Sequence, residues 1–341
     1  MHSNLVTGIT GQDGSLIAKR LLECGQKVTG LFRRSSSDNF WRLKDMGILE
    51  RITLIEADIE SFIELGEVLK NNSFDSIYHL SGSSFTAESF RKPWQTFSLN
   101  TFAAFHLLEA VRLNSPESHV TIAGSSEIFG EFSSVESTWV RDSNSRFGPI
   151  NPYGLSHLSN LQISNYYREI YGLRIAIPIM FNHESEYRGE QFLTKKLSLG
   201  ISRILVDQNY SILLGNLNAQ KDWGSAKEFV NILRLAGERE INTNFVLGTG
   251  QQTSVREIVR KVFEHVGIEI ESIGNGLEER IVNRQNGRVL VSIDSRNLRV
   301  KETPPFVADQ IECKNLFGEA PKKTVLDIIP DMVDFELRKG R

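Results

Sequence analysis

The chain has 341 residues, 40% hydrophobic and 24% charged, with a net charge of −3. That length holds one large α/β domain or two lobes, and the charge balance gives no drive towards nucleic acid or an anionic membrane. No apolar run approaches the roughly 18 residues of a membrane span, and the N-terminus enters a strand-like run without the ordered regions of a secretory leader. The two cysteines, Cys24 and Cys313, are far apart and in no metal-type spacing. A reducing, cytoplasmic setting and no metal site are expected, with a single long-range disulfide left open.

The first strand-like run, LVTG at 5–8, enters the turn GITGQDG. Gly8, Gly11, Gln12, Asp13 and Gly14 are the candidate cradle, because such a turn aims backbone N–H groups at a pyrophosphate on a helix N-terminus. A tight turn without ligand has the same local look. The second run, KVTGLF at 27–32, is followed by Arg33, Arg34, Ser35 and Ser36. NAD-binding chains place an acid there for the ribose 2′-hydroxyl; two guanidiniums and two hydroxyls suit the 2′-phosphate of NADP instead. After the third run, ITLIEA at 52–57, Asp58 suits the adenine amino group or a helix cap.

SIYHL at 76–80, HVTIAG at 119–124 and RIAIPIM at 174–180 are further buried strands. Phe97, Thr101, Ala104, Leu108 and Val111 share one helical face before the fifth run, and Ile163, Tyr166, Tyr167 and Ile170 share another before the sixth. This alternation predicts a Rossmann-type doubly wound parallel sheet with helices on both faces. Ser125 and Glu127 end the fifth strand, and Tyr153 opens the next long helix, so a hydroxyl, a carboxylate and a phenol meet at the carboxyl edge as a proton-transfer set. Ordinary turn and core roles exist for all three. Beyond Asn182 the rhythm changes: a helical piece spans Phe192–Val206, and SVRE at 254–257 is a capping box. Residues 1–181 read as the NADP-binding domain and 182–341 mainly as a smaller substrate lobe, some of whose segments return to the first.

The segments GITGQDGS, RRSS, SSEIFGE, NPYG, FNHESEYRG, LGNLNAQKDWG, SVRE and LRVKET span nearly the whole chain. Together they resemble the extended short-chain dehydrogenases/reductases, and within them the GDP-mannose 4,6-dehydratase group. The resemblance implies a redox-neutral hydro-lyase acting on GDP-mannose or a related GDP-sugar with NADP. C4 is oxidised, water is lost across C5 and C6, and hydride returns to C6. Tyr153 would move the C4 hydroxyl proton, Glu127 would act at C5 and C6, and Ser125 would hold the C4 oxygen. Glu127 sets this reaction apart from C4 epimerisation. On the substrate side, Asn182 would meet the diphosphate or sugar, Lys196 and Lys221 the diphosphate, and Arg299 and Glu302 the nucleotide ribose. Lys221 stands where the group tends to have arginine, which keeps the charge and loses the bidentate fork. The resemblance also implies a homo-oligomer, dimer or tetramer, in which RRSSSDNFWR, with Phe40 and Trp41, lines a neighbour's cofactor site.

One position breaks the pattern. The family has a lysine one helical turn after the tyrosine, lowering the phenol's pKa and holding the nicotinamide ribose; this chain has His157. A protonated imidazole would still favour phenolate, and a neutral one would offer a single hydrogen bond. His157→Lys is therefore expected to raise the rate at alkaline pH. His79 stands where the group tends to have asparagine, and no role is assigned to it. A C4 dehydrogenase or epimerase and a catalytically impaired nucleotide-binding homologue are the alternative readings.

Overall fold

A computed structural model describes residues 2–36, 38–130, 140–299 and 301–339. Seven parallel strands form its main sheet in the order Asn244–Leu247, Ile175–Met180, His119–Ile122, Ser76–His79, Ser3–Thr7, Lys27–Phe32 and Thr53–Glu56; a short strand, Gly124–Ser125, also pairs with Ile175–Met180. The order reverses beside Ser3–Thr7, which places a crevice at the carboxyl ends of Ser3–Thr7 and Ser76–His79. The middle strands are buried on both faces, as a parallel sheet covered by helices requires, with the polar Ser76, His79, His119 and Thr121 buried among their apolar residues.

Helices Phe62–Asn71, Pro93–Asn114 and Pro152–Tyr171 pack together, while Gln12–Glu23 packs against Ala226–Glu238. Two apolar clusters accompany them, one around Ile77, Leu107 and Ile175, the other around Val6, Ile17 and Phe229. Thr101, Ala104, Leu108 and Val111 are buried, as their shared face predicts. The next helix differs. Tyr167 is buried, but Tyr166 and Ile170 are 52% and 61% exposed. Its apolar stripe is wider than the groove that receives it.

The chain leaves the main sheet after Met180 and comes back to it. Asn182–Glu184 starts a three-stranded sheet with Gln220–Ser225 and Gln252–Ser254. Ile212–Leu214, Val289–Ile293, Arg280–Asn283 and Ile270–Ile273 make a four-stranded sheet over a third cluster, around Leu197, Ile258 and Ile329. Between these excursions Asn244–Leu247 joins the edge of the main sheet beside Ile175–Met180. Ser254 and Glu257 close the capping box that opens Val255–His265. Cys24 is exposed and Cys313 buried, and both thiols are free, so the open disulfide is not formed. Among the described residues no helix is long and apolar enough to cross a membrane, and no cluster of metal-ligating side chains occurs.

Candidate active site

The glycine turn joins Ser3–Thr7 to helix Gln12–Glu23. Gly8 has φ +70°, and a Cβ on Gly14 would lie 2.0 Å from the Gly8 oxygen, so neither position admits a side chain. Gly11 caps the helix without a side-chain hydrogen bond, so the first-turn N–H groups have no side-chain cap. This open turn fits a pyrophosphate. The neighbouring side chains are engaged elsewhere. Gln12 Nε2 donates to the His183 carbonyl at 3.2 Å, and its Oε1 accepts from Ser185 at 2.9 Å. Asp13 accepts from His183 Nε2 at 2.9 Å. Burial pushes Asp13 up, but His183 outweighs it and holds the carboxyl at about 2. Burial likewise pushes His183 down, and Asp13 holds it above its ordinary value. This ion pair joins the cofactor turn to the strand Asn182–Glu184.

Arg33, Arg34, Ser35 and Ser36 follow Lys27–Phe32, and all four are exposed at the surface. Of the RRSSSDNFWR segment, Ser37 lies outside the described residues. Phe40 packs edge-on against Phe32 and Trp41 against Tyr187, so both aromatics are occupied within the chain. Asp58 does not cap the next helix: Ser61 does, accepting the Glu64 N–H at 3.3 Å, while Asp58 receives the Glu60 N–H at 3.0 Å.

A cleft of about 850 Å³ opens at the carboxyl edge, a size that suits a small-molecule ligand. Its walls bring together Ser125, Glu127, Tyr153 and His157 with Asn182, Lys196, Lys221, Arg299 and Glu302. Arg33, Arg34 and Asp58 do not line it. Glu127 lies at the centre. Asn151 donates from Nδ2 to its Oε2 at 2.9 Å, and Lys221 Nζ and Arg299 Nη1 approach Oε1 at 3.4 and 3.5 Å. Burial would push this carboxyl up, but the Lys221 and Arg299 charges and the Asn151 bond hold it at about 2. Burial also pushes Lys221 below its ordinary value, against the pull of Glu127. The ammonium is braced on its other side by Thr303. The ionised pair is the state that three converging donors support at Glu127.

Asn151 does two things. It caps helix Pro152–Tyr171, accepting the Gly154 N–H at 2.7 Å, and it orients Glu127. Gly154 lets the helix start come close: a Cβ there would lie 2.5 Å from the Glu127 carbonyl oxygen. Burial raises the Tyr153 phenol to about 12, with the Ser125 hydroxyl bonded to it and working the other way. Lys196 reaches Asn297 Oδ1 at 3.5 Å, and Asn182 donates to the Asp222 carbonyl at 3.3 Å. Arg188 and Thr303 are additions that sequence reasoning missed. Arg188 stacks 3.6 Å above the Phe192 ring on the cleft wall. Only the N-cap signal of Asn151 before a proline was visible in the sequence for that residue.

His157 stacks edge-to-face on the Tyr153 ring, 4.5 Å between centroids. Burial drives its imidazole down to about 4, only partly opposed by a hydrogen bond to the Ala123 backbone. It is therefore neutral throughout the neutral range, the second of the two states that the sequence leaves open. The ring gives the phenol no cationic help. His79, beside it, is likewise driven to about 4 by burial and by His157.

The family model for GDP-mannose 4,6 dehydratase matches residues 5–332. A GDP-mannose 4,6-dehydratase of Yersinia enterocolitica is 33% identical over 100% of this chain and 95% of its own length. Two solved structures share the fold. UDP-glucuronic acid 4-epimerase from Bacillus cereus, in complex with UDP-glucuronic acid and NAD, has a TM-score of 0.80 at 18% identity and covers 99% of both chains. RMD from Pseudomonas aeruginosa, complexed with NADPH, has a TM-score of 0.76 at 16% identity and covers 99% of this chain and 100% of that one. The family match runs from the first strand into the last helix, and on that ground the chain belongs to the GDP-mannose 4,6-dehydratase family of hydro-lyases, among the extended short-chain dehydrogenases/reductases.

Proposed function

We propose that this chain is an NADP-dependent GDP-sugar 4,6-dehydratase, with GDP-mannose the first substrate to test. The observation that carries the reading is the Glu127 carboxylate, held ionised by Asn151, Lys221 and Arg299 beside the Ser125–Tyr153 pair. An epimerase needs the hydroxyl and phenol but no acid/base group for elimination at C5 and C6.

The glycine turn, with Arg33, Arg34, Ser35 and Ser36 beyond the second strand, would hold the cofactor. The exposed Arg33, Arg34 and hydroxyls, with no acid at the end of the second strand, support NADP over NAD. Bound there, the nicotinamide supplies hydride acceptance from C4 and hydride return to C6. Tyr153 takes the C4 hydroxyl proton, and the Ser125 hydroxyl, bonded to the phenol, orients the C4 oxygen. A ketone at C4 acidifies the C5 hydrogen. Glu127 removes that proton and returns it to the C6 hydroxyl as water leaves. Its ionisation leaves the carboxylate unprotonated at neutral pH; the low pKa makes it a weak base towards C5, which the C4 ketone must offset, and, once protonated, a strong donor to the leaving oxygen. Lys221 and Arg299 stand beside Glu127, and Lys196 opens on the same cleft, so a sugar diphosphate would meet positive charge there. Asn182, Arg299 and Glu302 would complete the nucleotide side. On this reading residues 1–181 are mainly the cofactor half and 182–341 mainly the substrate half.

A homo-oligomer, dimer or tetramer, is supported by helices Pro93–Asn114 and Pro152–Tyr171, which leave Trp94, Phe102, Phe105, Tyr166 and Ile170 exposed; Trp94 is 69% exposed. The functional test is direct. Purified protein is incubated with GDP-mannose and NADP+ and the product is weighed. Loss of one water is the expected result. An NADPH absorbance without water loss would assign a C4 dehydrogenase or epimerase, and binding without turnover on any sugar nucleotide would leave a nucleotide-binding homologue.

A further inference from the structure

His79 is buried at the carboxyl edge of the main sheet, and no step above uses it. It ends the strand Ser76–His79 and is 3% exposed. Its Nδ1 lies 2.9 Å from Thr7 Oγ1. That hydroxyl already accepts the Leu80 N–H at 3.3 Å, which leaves its own proton for Nδ1. The proton of a neutral His79 then sits on Nε2, and Nε2 has no partner.

The Ala123 backbone beside His157 favours the protonated ring. Nδ1 of His157 is buried and has no partner. The rings are neighbours: both line the cleft, and charge on His157 acts on His79. Each ring therefore carries one buried nitrogen without a partner, and on His79 that nitrogen is a donor. Buried polar atoms are rarely left so. The other titratable group against His157 is Tyr153, on its own helix. The acids of the cleft are engaged elsewhere, Glu127 with Lys221 and Arg299, and Asp13 with His183.

We propose that His79 is a positioning residue for this reaction: backed by Thr7, it gives its Nε2–H through one water to Nδ1 of His157, and fixes that ring in one neutral tautomer, protonated at Nε2, against Tyr153. The chain Leu80 N–H, Thr7 hydroxyl, His79, water, His157 is then complete. Two imidazoles linked by this water also resist a second proton, because each added charge repels the other. Tyr153 is thus positioned by a rigid ring rather than activated by a cation. The catalytic part of this inference rests on the dehydratase reading; the tautomer part does not.

The test uses the full chain with 15N-labelled histidine, read by long-range 1H–15N spectroscopy from about pH 5.5 to about 8, where an ordinary imidazole titrates. His157 is assigned by the signals lost in His157→Gln. In the wild type, His157 shows one neutral tautomer, protonated at Nε2, with no titration in that range. In His79→Phe the tautomers average, and kcat on GDP-mannose falls about tenfold with KM unchanged, the effect of one lost hydrogen bond. His79→Gln retains a side-chain N–H donor and restores the single tautomer and most of kcat. Thr7→Val, nearly isosteric, loosens the tautomer even where His79→Phe does not fold. An unchanged His157 tautomer in His79→Phe or in Thr7→Val overturns the proposal, as does a wild-type His157 that titrates near its ordinary value. A locked tautomer in a chain that never releases water would instead overturn the dehydratase reading alone.

Discussion

Lys221→Met removes an ammonium from the Glu127 carboxylate and keeps most of the side chain's volume. Both groups are nearly out of water, with side-chain exposures of 11% and 10%. Glu127 drops from 4.5 to about 2 in the folded chain. At about 1.36 kcal/mol per pH unit, that gap is worth roughly 3 kcal/mol in favour of the ionised form. Lys221 is the first of the groups that pull it down, with Arg299 and Asn151 behind it. A share of about 1–2 kcal/mol is therefore expected for the Lys221–Glu127 coupling, and the single variant loses about 2–4 kcal/mol because it strands a buried charge. The assay is a double-mutant cycle of Lys221→Met and Glu127→Gln by urea denaturation at pH 7. The folded value of Glu127 lies below its unfolded one, so its contribution is complete above 4.5 and is lost as pH falls through about 2. The coupling should shrink in that window. A coupling below about 0.5 kcal/mol at pH 7 would falsify the placement of Lys221 as the partner of Glu127.

Because the His157 imidazole lies at about 4, His157→Lys introduces charge at every working pH. We expect kcat to rise about tenfold across roughly pH 6–9 and not only at its alkaline end, a change a stopped-flow NADPH trace would read. Asp13→Asn removes the charge from the bond to His183 and so the ion pair. The pair stabilises the fold between the ordinary values of 3.8 and 6.5, losing Asp13's share as pH falls towards about 2 and His183's as pH rises through its elevated folded value. Denaturation should show a deficit of about 1–3 kcal/mol near pH 5.5 that narrows by about pH 9. Phe102→Glu places charge on the apolar helix face; if that face joins the proposed homo-oligomer, light scattering should give a lower mass for the variant than for the wild type, with the circular dichroism unchanged.

The parts of this fold that were legible in the sequence are local. Short Val- and Ile-rich runs between amphipathic stretches specify a parallel sheet, and Ser254 with Glu257 specifies a helix start within four residues of chain. The glycine turn is legible because only glycine tolerates the approach of Gly14 to Gly8. What escaped depends on packing. Lys221 and Glu127 are 94 residues apart, and nothing in KDWG announces that its lysine faces the carboxylate of SSE. The resemblance assigned that lysine to a diphosphate; its position beside Glu127 is a fact of the folded cleft. His157 carries the same lesson. Its spacing from Tyr153 is written in the sequence, but its charge is decided by burial, and burial is a property of the neighbours. Ile163, Tyr166, Tyr167 and Ile170 read as one apolar face, but pattern alone could not divide that face between core and solvent.

The late return of Asn244–Leu247 to the main sheet has a consequence for biosynthesis. Ile175–Met180 leaves the ribosome as an almost wholly apolar strand, and its outer partner follows roughly 65 residues later. At about 5–20 residues per second, that strand waits several seconds with its hydrogen-bonding edge unpaired. An open apolar edge is a template for intermolecular pairing. Yield from a heterologous host should therefore depend on elongation speed and chaperone supply through this interval more than on the stability of the finished protein.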